Sequence, residues 1–396
     1  MTVRDTVGTV ATVGRIASAI VRERVLPQGH ITDPTVVPTC AEAITPEWLT
    51  AVLCHHIEGA RVVDVRVSGG DDGTSARRAL DVAYNEAGAN AGLPTKLFSK
   101  STATFGSRML LGVTGIAEGE SVFYNHARPG LKLRSPRAFY SGYDPRSHRS
   151  MVILEDLTTR GWTFPDPMTN IVDRSDAEEM VSELATYHAA FWDSSRFRTD
   201  LAALRPTYEW QENLNRRVGF EKRTITGLDR AKDVVNGELY AQRDVIYPAF
   251  MHSLTLHRGA PVTLLHQDLH LGNWLRDHDG RMGLYDWQCV AKGSWALDFS
   301  YAIGAALSTD DRREWQEDLL RIYLERLRQS GVATAPAFDA AWLAYRQQPM
   351  HALAFALFTY GGSRFEPELQ PKDYTLASIA KIAQHVTDLK SVAALS

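Results

Sequence analysis

Cysteine is scarce. Cys40, Cys54 and Cys289 are the only three, unevenly spaced and without a CxxC pair. That argues against a disulfide scaffold or a cysteine zinc site, and makes a reducing cytoplasm the expected setting. No uninterrupted apolar run approaches the ~20 residues of a membrane span. The first residues lack the compact apolar segment of a signal peptide. Neither sign of charge dominates: 43 Lys and Arg face 47 Asp and Glu, for a net charge of −4. Nucleic acid is therefore not the expected partner. Internal repeats and low-complexity stretches are missing too. What remains is ordinary: 396 residues, 44% hydrophobic and 23% charged, enough for two domains with a sizeable core.

The stretch most clearly built for chemistry is HQDLHLGN, His266 to Asn273, with DWQ at Asp286 to Gln288. An apolar run, Val262 to Leu265, leads into it. The polar turn Asp277-His278-Asp279-Gly280 precedes a second apolar run, Met282 to Tyr285, which ends at Asp286. The pattern predicts short strands delivering polar groups at their ends. The spacing H-x-D-L-x-x-x-N, followed by a further aspartate, matches the catalytic loop of kinases. Phosphoryl transfer needs a carboxylate to orient the acceptor hydroxyl and take its proton, and oxygen ligands for magnesium. Asp268 is the expected base, and Asn273 and Asp286 are the expected metal ligands. His266 is expected to fix the loop, and Asp298 to anchor backbone near it.

Upstream, residues 1 to about 26 read as a helix, with Val3, Val7, Val10, Ile16 and Ile20 near one face. It is expected to pack on its own domain or on a neighbouring subunit; its arginines leave a membrane-surface or targeting helix as the other reading. Pro27 to Thr39 reads as a connector. Thr45-Pro46-Glu47 begins a helix expected to reach about Ile57. A strand over Arg61 to Val67 leads to a glycine loop, Ser68 to Ser75, and a second strand near Ala79 to Tyr84. Gly70 and Gly73 are the candidates for laying backbone N–H groups over phosphates. Asp71 and Asp72 speak against side-chain contact there, so they face solvent or the loop tip sits back. Pro94 to Lys100 reads as a strand, followed by a helix carrying Glu118 and Glu120. Lys100 on the nucleotide phosphates, held by Glu120, is the expected pair, with Lys96 and Glu118 as competitors. Two further strands, Arg137 to Tyr140 and Ser150 to Leu154, end at Glu155-Asp156-Leu157. By position the Glu155 carbonyl and the Leu157 N–H would meet adenine. From Asp173 the pattern turns helical, with Ser175 as a cap for Ala177 to Trp192 and Pro349 splitting a later helix.

Together HQDLHLGN, DWQ and LDFSYAI, preceded in order by TKLFSKS, EGESVFYNHA, MVILEDL and ELATYHAAFW, resemble the aminoglycoside phosphotransferase and choline kinase-like superfamily, in the branch of ecdysteroid kinase-like proteins. The likeness covers about residues 45 to 390. It implies an α+β, bilobal protein-kinase-like fold, with an antiparallel β-rich small lobe and a mainly helical large lobe. The expected division is 1–40 N-terminal helix and connector, 41–156 nucleotide-binding lobe and 157–396 catalytic lobe. It implies ATP and Mg2+ in the cleft and transfer of the γ-phosphate to a small-molecule hydroxyl. Two departures argue against a protein substrate. Gln288 stands where protein kinases place glycine, and only eleven residues separate Asp286 from Asp298. Acceptors in this family usually lie between the catalytic loop and the C-terminal helices. Asp310, Asp311, Glu366 and Glu368 are candidates to attract a cationic acceptor, with Arg364 partly cancelling that field. Trp295 or Trp342 would offer a ring to an ammonium group or to a flat apolar acceptor. The alternatives are a nucleotide-binding protein without turnover and a metal-dependent phosphoesterase.

Overall fold

The computed structural model describes residues 3–26, 29–169, 171–362 and 370–396. It divides into two compact units. The first comprises residues 1–130 and 136–161; the second comprises 131–135 and 162–396.

The first unit is built on one five-stranded antiparallel sheet: β1 Val62–Ser68, β2 Ala76–Tyr84, β3 Lys96–Ser101, β4 Ala138–Asp144 and β5 Arg149–Glu155, in the spatial order β1-β2-β3-β5-β4. The central strand β3 pairs Arg77 with Lys100 on one side and Val152 with Lys100 on the other. Lys100 is thus fixed in the middle of the sheet. The helix Pro46–Leu53 begins as its sequence predicts: the Thr45 hydroxyl accepts from Trp48 N and Pro46 takes the first turn. It ends at Leu53, short of Ile57, and Gly59 (φ 71°) then turns the chain toward β1. Its buried face, Trp48, Leu49, Val52 and Leu53, packs with Leu80, Val82, Leu97, Met151 and Ile153 of the sheet. Leu49 and Leu97 are fully buried, each worth about 1.5–3 kcal/mol. The helix Val3–Val25 belongs to this unit and buries Ile16 and Ile20. Its Glu23 carboxylate meets the fully buried guanidinium of Arg108 at 2.6 Å.

The second unit is mainly helical. Its first long helix, Arg174–Ala190, is capped by Asp173, not Ser175. Asp173 and Asp176 bond each other's backbone N–H in a capping box, and Ser175 falls inside the helix. Two small antiparallel two-stranded sheets follow the helices of the middle region: β6 Thr263–Leu265 pairs with β9 Ala291–Gly293, and between them in the chain lies the hairpin of β7 Trp274–Arg276 and β8 Met282–Leu284. The β7–β8 turn is tied by Asp277, whose carboxylate accepts the N–H groups of Asp279 and Arg281, while Gly280 supplies φ 79°. Every residue of the helix Ala296–Ala306 is buried. Helices Thr309–Gln329, Phe338–Arg346, Pro349–Tyr360 and Lys372–Asp388 complete the unit, with Pro349 opening a new helix after Arg346.

Candidate active site

In the first unit the Lys100 ammonium meets the Glu120 carboxylate at 2.8 Å, with both side chains only 6% exposed. Lys100 sits on β3 and Glu120 on the helix Ile116–Val122. A buried pair of this kind survives only because each charge compensates the other. The competitor Lys96 is instead at the surface, 2.5 Å from Asp81.

The glycine loop closes on itself. Arg77 N donates to the Asp71 carbonyl, and Asp71 Oδ1 accepts from Gly73 N at 3.3 Å. Asp71 stands 3.5 Å from the Arg77 guanidinium and Asp72 2.9 Å from that of Arg78. Both aspartates face solvent as expected, with 63% and 59% of their side chains exposed, while Arg77 and Arg78 of the returning strand pair with them. Gly70 has φ 98°, and a Cβ there would fall 1.8 Å from the Arg77 carbonyl oxygen. Close approach to β2 is therefore what requires glycine at this position. Gly73 has no such demand.

At the end of β5, Glu155 is a strand residue paired with Leu97. Its carboxylate accepts from Arg137 N at 2.8 Å and meets Arg160 at 3.1 Å. Asp156 caps the short turn Leu157–Arg160, whose Leu157 is buried. Glu155 and Leu157 thus lie at the exit of the sheet, with the Glu155 side chain engaged in holding the strand end.

In the second unit the loop after β6 is held from several sides. His266 is fully buried; burial lowers its imidazole's affinity for a proton, so it is neutral. Its Nε2 donates to the Tyr285 carbonyl at 2.9 Å, and its Nδ1 accepts from Asp268 N at 3.3 Å. Asp298 is fully buried as well. Its carboxylate accepts from His266 N at 2.7 Å, Gln267 N at 2.9 Å and the Tyr187 hydroxyl at 2.6 Å. Burial pushes its carboxyl up, but His188, Tyr187 and the His266 N–H outweigh that and hold it below the usual carboxylate range. The anchored backbone includes Gln267 in the left-handed region, φ 66°.

Asp268 is partly open, with 18% of its side chain exposed. Its Oδ1 accepts from the Tyr301 hydroxyl and its Oδ2 from Asn273 Nδ2, each at 3.2 Å. His270 Nε2 stands 3.9 Å away. Asn273 Nδ2 also donates to the Asp268 carbonyl at 2.7 Å. With the amide nitrogen so used, the amide oxygen is the atom offered to a cation. Tyr285 N bonds the Asn273 carbonyl at 3.0 Å, joining the two hairpin strands beside Asp286. Asp286 takes a left-handed conformation (φ 59°, ψ 64°), and the buried Trp287 after it donates its indole N–H to Ser135 at 2.9 Å.

Among the described residues no three His, Cys, Asp or Glu side chains cluster as a protein-only metal cage. Magnesium bound to a nucleotide needs only one or two protein oxygens, and an Asn amide with an Asp carboxylate suits it. Asn273 and Asp286 fit that role.

The expected acceptor residues fare differently. Trp295 is 2% exposed and stacks on Tyr323 at 4.9 Å, so it belongs to the core and offers no ring to an acceptor. Asp310 is 94% exposed in the first turn of Thr309–Gln329, 3.5 Å from Arg313. Glu366 and Glu368, with Arg364, lie outside the described residues. The sequence reading missed Tyr301 and His270. Both carried a local signal: His270 lies inside HQDLHLGN, and Tyr301 follows Asp298 by three residues on one helix face.

A model of the ecdysteroid kinase-like family matches residues 120–332, more than half of the chain. The chain belongs to the ecdysteroid kinase-like family. No curated protein matches it by sequence. Among solved structures it is similar to the choline kinase LicA from Streptococcus pneumoniae, at 12% identity and TM-score 0.48, covering 83% of this chain and 94% of that one. The choline kinase from Cryptosporidium parvum Iowa II gives 13% identity and TM-score 0.49, over 83% and 91%. The Plasmodium vivax ethanolamine kinase gives 10% identity and TM-score 0.47, over 82% and 81%. At these identities no residue role or substrate carries across. Within the matched span fall Glu120, the loop from His266 to Asn273, Asp286 and Asp298; Lys100 lies before it.

Proposed function

We propose that this member of the ecdysteroid kinase-like family is an ATP-dependent phosphotransferase that moves the γ-phosphate to a hydroxyl of a small molecule. An aminoglycoside, another antibiotic or an amino alcohol represents the class. One observation carries the reading: the Asp268 carboxylate is partly exposed and held at both oxygens, with Asn273 beside it and Asp286 at the end of the paired strand.

In this reading Asp268 orients the acceptor hydroxyl and takes its proton as the acceptor oxygen bonds to the γ-phosphorus. The bond from that phosphorus to the β,γ-bridging oxygen breaks, and ADP leaves with its electron pair. Asn273 and Asp286 would hold Mg2+, which when bound neutralises charge on the phosphates. Lys100, kept in place by Glu120, binds the nucleotide phosphates. His266 and Asp298 hold the loop.

A second reading is a nucleotide-binding protein without turnover. The glycine loop favours it, since Asp71 and Asp72 hold that loop against Arg77 and Arg78. The test is ADP release and γ-phosphate transfer with Mg2+ over a panel of sugars, amino alcohols and antibiotics. We expect turnover on at least one acceptor, lowered by about 10²–10⁴-fold in Asp268→Ala. Full activity in that variant would remove Asp268 as base. Tight ATP binding with no turnover on any acceptor would support the second reading.

A further inference from the structure

Gln267 concentrates cost in one residue. It is fully buried, non-glycine, and held at φ 66°. Its Oε1 is buried without a hydrogen-bond partner. Left-handed backbone and an unsatisfied buried polar atom each disfavour this conformation, and such features persist only where the surroundings over-determine them. Here the surroundings do so. The Gln267 N–H goes to Asp298 at 2.9 Å, its side-chain Nε2 to the Cys289 carbonyl at 2.7 Å, and its carbonyl accepts from His351 Nε2 at 2.9 Å. The peptide bond between Gln267 and Asp268 is therefore gripped on its carbonyl side by a residue 84 positions away, on the helix Pro349–Tyr360.

His351 differs from the other buried histidines of this unit that lie outside the loop from His266 to Asn273. His257 serves Thr207, Ser294 N and Gln348, and His385 serves Tyr345. His188 contacts Tyr323. His351 alone among these four donates to the catalytic loop's backbone. Burial lowers its pKa to about 4, so its ring is neutral and the Nε2 proton is the one that meets the carbonyl. Its Nδ1 is left buried without a partner. The ring is fixed by Phe355 at 4.2 Å and by Tyr301 at 5.8 Å between centroids. Tyr301, one turn after Asp298, donates its hydroxyl to Asp268 Oδ1. The same helix thus holds the loop's N–H groups through Asp298 and the carboxylate through Tyr301, and His351 closes the remaining side.

We propose that Tyr301 and His351 are positioning residues of the transfer site: His351 locks the left-handed Gln267 peptide from which Asp268 springs, and Tyr301 sets the direction in which the Asp268 carboxylate faces. The inference rests on the phosphotransferase reading above. Neither residue reacts. Both act by keeping the base within the narrow geometry that proton transfer and attack require, where a misplacement of about 1 Å costs on the order of 100-fold.

The test uses the full chain and the variants Tyr301→Phe, His351→Leu and His351→Gln, the last carrying an amide nitrogen where Nε2 stands. On an accepted substrate, Tyr301→Phe and His351→Leu lower kcat about 10- to 100-fold, while ATP affinity by calorimetry stays within about twofold. His351→Gln recovers most of the loss. Hydrogen exchange of the amides of residues 266–268 accelerates in His351→Leu and returns toward wild type in His351→Gln. Crystal structures of wild type and Tyr301→Phe show Asp268 leaving its rotamer in the variant. Wild-type kcat in Tyr301→Phe and His351→Leu, alongside an inactive Asp268→Ala, overturns this inference and leaves the function standing. A wild type without transfer on any acceptor removes the function; unchanged exchange in His351→Leu and an unmoved Asp268 in Tyr301→Phe then overturn the positioning roles without any turnover.

Discussion

Replacing Asp298 by Asn keeps the shape and removes the charge. The carboxylate is fully buried and accepts from His266 N, Gln267 N and the Tyr187 hydroxyl at 2.6–2.9 Å. An amide offers one acceptor oxygen and one NH2, and the NH2 would confront a donor. At least one buried N–H loses its partner, and the surviving bonds lose charge assistance. A hydrogen bond to a charged group is worth about 1.5–3 kcal/mol, and an orphaned buried donor costs about 1–3 kcal/mol. The expected destabilisation is about 3 kcal/mol, and a Tm lower by about 6–12 °C. The pH dependence follows the same group. Its carboxyl lies below the ordinary carboxylate range, so its contribution is full above its unfolded value, about 3.9, and is lost as pH falls through the folded value. Thermal and urea unfolding of Asp298→Asn against wild type, at pH 7 and in acid, measures both. A Tm within about 1 °C of wild type, with unchanged amide protection at His266 and Gln267, would refute the reasoning.

Lys100→Ala leaves Glu120 charged in a site 6% exposed, so unfolding shows a loss of about 3–5 kcal/mol in the first unit. The double change Lys100→Met with Glu120→Gln restores most of that stability but not nucleotide binding by calorimetry. Glu183 has its carboxyl pushed up to about 7 by burial, which the neighbouring Arg134 only partly offsets. A raised acid favours the folded state when protonated, so this group costs stability as pH rises from about 4.5 to about 7. Glu183→Gln removes that slope in a series of urea titrations. Gly70→Ala forces a Cβ onto the Arg77 carbonyl at φ 98° and lowers stability by about 1–3 kcal/mol. Gly73→Ala, with only an Asp71 side-chain oxygen at 3.5 Å, stays within about 0.5 kcal/mol in the same thermal assay.

Much of the fold was legible because its cues are local. Thr45 and Pro46 start a helix by their own backbone chemistry, and Pro349 stops one for the same reason. Strands β1 and β5 follow runs rich in apolar and β-branched residues, VVDVRVS and RSMVILE. Cap choice was harder. Asp173 with Asp176 and Ser175 with Glu178 both have capping-box spacing, and an Arg174–Glu178 pair at 2.8 Å supports the earlier start. Trp295 was misread because a tryptophan between Ser294 and Ala296 has no sequence cue to burial; its partner Tyr323 is on another helix. Asp71 and Asp72 read as solvent charges and are exposed; what the sequence did not show is that the returning strand brings Arg77 and Arg78 to them.

By itself the sequence determined which groups are the candidates for the chemistry. Asp268, Asn273 and Asp286 are close in the chain, so the turn and hairpin geometry that spaces them is set by neighbours a few residues away. Even the Lys100–Glu120 pairing follows from the order of one strand and one helix. Only the tertiary structure decided what holds those groups in place. Tyr187 reaches Asp298 across 111 positions and His351 reaches Gln267 across 84. Contacts at such separations leave no periodicity in the chain. They exist because packed helices bring together side chains whose hydrogen bonds, once buried, have no water to turn to.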